Sequence, residues 1–275
     1  MKKKILMVAL AAVLAAVLFC ALAPCVGGLT PFQAVSVKHF LKTNPFLAEE
    51  TGERIVLPVA AAVGANGYER NTFVGSRIQM EGEPDYIELN MVVNGDGNPV
   101  LADSYFDMNE KSIDAYRVAK SLLQTTKRPS LLVNLAEYTN LNAVSALLMS
   151  SSRFANAVVR GVDENTIGYV RGFFPAHTVL CEYSHKNRLS LAEIKAKGAD
   201  GIYCSASMLS AHFAKKVHEA GLLLWVDCGN SSYRVIKTMS CCKQVDGLVT
   251  AKPAMALNLQ HAWSYQDFRH LNEAQ

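Results

Sequence analysis

Histidine and cysteine are the side chains most ready to move protons, attack electrophilic centres or bind metals near neutral pH. The sequence has seven of each. The cysteines are Cys20, Cys25, Cys181, Cys204, Cys228, Cys241 and Cys242. None forms a C-x-x-C pair, and no histidine stands near them at zinc spacing, which argues against a structural metal centre. Cys181, Cys204 and Cys228 fall in apolar runs, where a thiol behaves as a small buried hydrophobe. The adjacent Cys241 and Cys242 leave disulfide formation open. No G-x-S-x-G elbow, P-loop or G-x-G-x-x-G is present, so serine-nucleophile and nucleotide chemistry have no local signature.

The elements that would position any such chemistry are read from periodicity. The chain has 275 residues, 50% of them hydrophobic and 19% charged, enough for a substantial core. Its 27 basic and 24 acidic residues leave a net charge of +3, which excludes a broad nucleic-acid-binding surface. Short apolar, β-branched runs at 55–62, 86–93, 99–102, 131–135, 157–162, 178–182, 201–204, 222–227 and 247–250 read as buried strands. Amphipathic or capped stretches at 112–124, 142–153, 164–173, 190–197, 207–220 and 231–239 read as helices. In one of them Ser207 serves as the start, Met208, Leu209, Phe213 and Val217 form the apolar face, and Gly221 ends the helix. This α/β alternation predicts a closed (β/α)8 TIM-type barrel, with a doubly wound open sheet as the alternative. Asn94-Gly95-Asp96-Gly97 breaks the alternation with a hairpin between two strands.

The amino terminus is a separate unit. Three lysines, Lys2 to Lys4, precede an apolar run from Ile5 to Ala23, long enough to cross a bilayer as a helix. Residues 1–29 therefore read as a transmembrane anchor or a signal segment. Ala21-Leu22-Ala23 offers a cleavage site, which Pro24 directly after it would hinder. Residues 30–53 read as a juxtamembrane linker, 54–260 as the barrel and 261–275 as a tail. Either reading of the first segment places the barrel outside the cytoplasm, membrane-anchored or secreted.

Several segments, in order, resemble the glycerophosphodiester phosphodiesterase family. They are Arg70-Asn71-Thr72, then Pro84-Asp85-Tyr86-Ile87-Glu88-Leu89-Asn90 through Asp96-Gly97-Asn98-Pro99-Val100-Leu101-Ala102-Asp103. Later come Gly198-Ala199-Asp200-Gly201-Ile202, His218-Glu219-Ala220-Gly221, Trp225 and Val245-Asp246-Gly247-Leu248-Val249-Thr250 with Lys252-Pro253. The resemblance implies a barrel of the PLC-like phosphodiesterase kind, acting in lipid metabolism. It also implies two catalytic histidines and an acidic site for a divalent cation. The histidines would fall at Ala61 or Ala62 and at Ala102. Glu88 is retained as a metal-ligand type, Asn90 replaces an aspartate, and Asn134 and Ala136 stand at a later Glu-x-Lys. Arg70 replaces a glutamate. The family's insertion over the mouth has no counterpart between Asp103 and Leu131.

Alanine neither takes nor gives a proton, and one carboxylate with two amides is a poor nest for Ca²⁺ or Mg²⁺. The expectation is a catalytically degenerate barrel that binds a phosphodiester, an envelope ligand or a protein partner. No cofactor is expected beyond residual Ca²⁺ or Mg²⁺ at Glu88. The alternative is an active diester hydrolase of altered mechanism, in which His185, Asp103 or Asp227 would reach Glu88. Binding candidates are Glu88, Asn90, Asp103, Asn134, Trp225 and Lys252. Trp225 is expected at the mouth or in the core, Asp103 as a ligand group or a loop cap, and Glu88 free or paired with Arg70 or Lys252. Oligomeric state has no sequence signature.

Overall fold

The computed structural model describes residues 57–262, apart from 110–111, 123, 125–128, 137–139, 232–234, 237–238 and 240–243. The amino-terminal apolar run, the linker, the tail and Cys241–Cys242 lie outside the described residues. Nine strands form one sheet: β1 (Val59–Ala61), β2 (Tyr86–Val93), β3 (Pro99–Leu101), β4 (Ser130–Leu135), β5 (Val158–Val162), β6 (Thr178–Glu182), β7 (Gly201–Ser205), β8 (Leu223–Gly229) and β9 (Gly247–Thr250). Their order is β1-β9-β8-β7-β6-β5-β4-β2-β3, and β1 also pairs with β2. That last pairing closes a ring. With β3 set aside as an antiparallel arm of β2, the nine strands leave eight in a parallel barrel. No open edge remains where a doubly wound sheet would have two.

The helices are α1 (Phe73–Gln79), α2 (Ala115–Leu122), α3 (Leu141–Met149), α4 (Ile167–Phe173), α5 (Leu191–Ala196), α6 (Ala211–Glu219) and α7 (Pro253–Ala262). Ser190 closes a capping box with Glu193 at the start of α5. The start expected at Ser207 is corrected. Ser207 lies in a 3-10 turn, and the cap of α6 is Ser210, whose Oγ accepts from Phe213 N at 3.1 Å. Two helices were not read from the sequence. α1 is only seven residues long with Gly75 inside it, and α7 opens on Pro253, suited to a first helical turn. The expected 231–239 helix is only partly described.

Alternation along each strand divides the barrel into two apolar regions. Outward residues such as Ile87, Leu89, Val133, Val159, Ile202 and Val226 pack against the helices. Cys181, Cys204 and Cys228 are buried and free in these strands, and burial pushes the first two thiols up to about 12. Inward residues Ala60, Leu132, Val158, Leu180, Tyr203, Trp225 and Val249 fill the ring. The hairpin forms as expected. Val93 faces Pro99, Gly97 has φ 82°, and Asn94 Oδ1 accepts from Asn98 N at 2.9 Å.

Trp225 belongs to the floor of the barrel. It lies in register with Tyr203 and Gly247 and presents an edge to Tyr86, the first residue of β2, at 5.4 Å. Of the two places open to it from the sequence, mouth and core, the core is the one it takes. A Cβ on Gly247 would fall 2.3 Å from the Trp225 ring. Gly247→Ala is therefore expected to cost about 1–3 kcal/mol of stability by overpacking. Urea unfolding checks this, with part of the loss recovered when Trp225→Leu is added to the same chain.

Candidate functional site

The mouth is the C-terminal end of the strands, where barrels of this topology carry their polar groups. Two residues beyond the apolar floor, on the same inward face, stand Asn134 after Leu132, Arg160 after Val158, Glu182 after Leu180 and Asp227 after Trp225. From β2, Glu88 and Asn90 join them, both 3% exposed. Burial on this scale requires every charge to be answered locally.

Arg160 provides most of that answer. Its Nε donates to Glu88 Oε1, with Nη2 in ion-pair contact with the same oxygen, and its Nη1 donates to Glu182 Oε1 at 2.7 Å. The guanidinium carbon lies 4.3 Å from the Tyr203 ring centroid, a cation–π contact. Burial alone would favour loss of the guanidinium proton, but Glu88, Tyr203 and Glu182 raise its pKa and keep it charged. Burial raises the pKa of Glu182 despite Arg160 beside it. Glu88 Oε2 accepts from Val63 N at 2.9 Å, so both oxygens of this carboxylate are engaged. The Tyr203 hydroxyl is buried without a partner among the described residues.

The partner expected for Glu88 is thus corrected. Arg70 turns away to Asp103, with Nη2 to Oδ1 at 2.9 Å, and its side chain is 58% exposed. Lys252 Nζ donates to Ser231 O at 3.3 Å. Neither Arg160 nor Glu182 was singled out from the sequence. Their signal was available, since each is a charged residue of inward parity inside an apolar strand run.

A second network runs from β4 to the loop after β3. Asn134 Nδ2 donates to Asn90 Oδ1 at 2.8 Å, and Asn90 Nδ2 donates to Asp103 Oδ1. Asn90 and Asn134 therefore bond each other, and Asp103 gathers Asn90, Asn71 and Arg70. Burial opposes the charge on Asp103, but those hydrogen bonds and the Arg70 charge outweigh it and lower its pKa. Gly161 makes room at this level. Its φ is 79° at a register shift in β5, and a Cβ there would lie 2.4 Å from Asn134 Oδ1. Its N–H donates to Glu182 Oε1 at 3.1 Å.

At the positions where the resemblance calls for histidines, Ala61 ends β1, Ala62 follows it, and Ala102 follows β3. Gln79 from α1 occupies this corner. Its Nε2 donates to Ala61 O at 3.1 Å, Ala62 O at 2.8 Å and Glu88 O at 3.1 Å. His185 is exposed in the loop after β6, and Asp227 Oδ1 accepts from Gly229 N at 2.7 Å. The donors to the Glu88 carboxylate are Arg160 and Val63, so His185, Asp103 and Asp227 are not brought onto it.

Solved structures of known proteins share this architecture. A glycerophosphodiester phosphodiesterase from Agrobacterium tumefaciens matches 75% of this chain and 100% of its own, with TM-score 0.61 and 14% identity. One from Thermotoga maritima covers 75% and 100%, with TM-score 0.55 and 13% identity. A phosphodiesterase from Oleispira antarctica, solved with its product sn-glycerol-3-phosphate, covers 73% and 95%, with TM-score 0.55 and 12% identity. The fold is that of the glycerophosphodiester phosphodiesterases. At such identity the likeness extends to the fold alone. No family model matches the sequence, and no curated protein does.

A divalent cation of the kind the resemblance implies would need several free anionic oxygens. Glu88 has none to spare, and Asn90 and Asn134 are turned onto each other and Asp103. Among the described residues no group of three or more His, Cys, Asp or Glu could hold a metal ion. The donor set does not fit the ion.

Asp103 gives the site a pH signature. A carboxyl with a lowered native pKa adds stability above its unfolded pKa and loses it as pH falls through the native value. Asp103→Asn is expected to be less stable than wild type near pH 6, by about 1 kcal/mol or less because the side chain is partly exposed. The gap should close as pH drops below about 4. Urea midpoints of the two proteins across that range check it.

Proposed function

We propose that this phosphodiesterase-type barrel is catalytically degenerate and serves as a binding or regulatory module. It is held at the membrane by the apolar segment before residue 30 and sits outside the cytoplasm. The observation that carries this reading is the state of Glu88. The carboxylate best placed to hold a catalytic cation has one oxygen on Arg160 and the other on the Val63 amide. Alanines 61, 62 and 102 supply no proton-transfer group beside it.

The charge on Arg160 is spent on two carboxylates, which leaves little attraction for a phosphate oxygen. A hydrolase of altered mechanism would need another group within reach of Glu88. The side chains proposed for that role bond elsewhere or stand exposed in a loop. The reading therefore favours a ligand or partner that is held and not cleaved.

Residues 50–275, assayed with glycerophosphocholine and bis(p-nitrophenyl) phosphate in Ca²⁺ or Mg²⁺, are expected to match the rate of buffer alone. Turnover that depends on the metal and disappears in Glu88→Ala would overturn the proposal. Cell fractionation tests the anchoring. The full chain is expected with membranes, and a chain lacking residues 1–29 is not.

A further inference from the structure

Glu88 and Glu182 come from strands that are not neighbours in the ring, since β4 and β5 stand between β2 and β6. Both nevertheless turn Oε1 onto one guanidinium. Each carboxylate is also held by a main-chain donor that does not involve Arg160. The Val63 amide reaches Glu88 Oε2 at 2.9 Å, and the Gly161 amide reaches Glu182 Oε1 at 3.1 Å. The two anionic groups are thus aimed at a common point by the backbone. The side chains of Glu88, Arg160 and Glu182 are 4%, 14% and 38% exposed, so the buried Glu88 carboxylate needs a positive charge at that point.

We propose that Arg160 is a resident cation, which occupies from within the chain the place a hard divalent ion would otherwise take between Glu88 and Glu182. The planar guanidinium suits the task because its separate N–H groups bond both carboxylates while its face rests on Tyr203. The wild-type barrel is accordingly indifferent to Ca²⁺. A chain without this guanidinium keeps two backbone-held carboxylates that converge on an unfilled point. It takes up a divalent or trivalent cation there, with water completing the coordination shell. The inference concerns cation occupancy and stands apart from the absence of hydrolysis. A barrel with no phosphodiesterase activity can still fail this test, and one that passes it can still prove active.

The test uses wild type, Arg160→Met, Arg160→Lys and the double variant Arg160→Met, Glu182→Gln, with Ca²⁺ and Tb³⁺ as probes. Tb³⁺ emission excited through tyrosine reports occupancy beside Tyr203, and the Ca²⁺-dependent shift in melting temperature reports binding to the folded state. Arg160→Met is expected to bind both ions about tenfold or more tighter than wild type. Arg160→Lys keeps a charge at the point and should show no gain, and the double variant should lose the gain. A folded Arg160→Met that binds no better than wild type overturns the proposal, as does a gain that survives Glu182→Gln. Should Arg160→Met be unfolded alone, refolding in about 10 mM Ca²⁺ supports the proposal, and failure to refold overturns it.

Discussion

Closing eight parallel strands into a ring turns every second side chain toward one axis, and no solvent is available there below the mouth. The rest of the molecule follows from that constraint. The inward positions nearest the strand starts are apolar and large enough to meet across the ring, with Trp225 against Tyr86 and over Gly247. The next inward positions are polar. Glu88 is deeply buried among them, so its charge must find its opposite on another strand and not in water. The pairing of β2, β5 and β6 side chains through Glu88, Arg160 and Glu182 is the result, and it links strands on different sides of the barrel.

Most of this architecture was legible in the residues. The short β-branched runs, the pace of alternation and the Asn-Gly-Asp-Gly turn lead directly to the ring and its hairpin, because buried parallel strands have little freedom in composition. The unread α1 is short and holds a glycine, whereas the misplaced start of α6 has a different cause. Local capping chemistry is ambiguous when two serines stand three apart, and Ser207 and Ser210 each accept the signature equally well in sequence. In the structure Ser210 makes the cap of α6, and Ser207 lies in the 3-10 turn before it. The site was legible in outline through Glu88, Asn90 and Asn134, but its partner charge was not. Arg160 looked like one more residue of a strand. Counting inward parity from Val158 would have exposed it, whereas matching family motifs pointed to Arg70 and Lys252. The depth of Trp225 was lost in the same way, since a motif match gives a position along the chain and not a height in the barrel.

Likeness in shape is compatible with a different set of side chains at the mouth, because the two depend on different positions. The fold is specified by the outward face of the strands and the helices that cover it, a pattern many sequences satisfy at 12–14% identity. The inward polar positions must balance their own charges, a demand that more than one set of side chains can meet. A guanidinium, two carboxylates and a pair of amides meet the electrostatic demand of the mouth.

Gln79 bears on how the ring behaves as a whole. The β1–β2 pairing that closes the barrel has two residue pairs in register, against six between β2 and β4. One carboxamide at this thin joint binds carbonyls on both sides of it. The barrel therefore has a built-in seam at which partial opening costs least, and the amides of β1 are the natural place for slow solvent exchange to begin. The side chain that spans this seam comes from the first helix and not from the sheet.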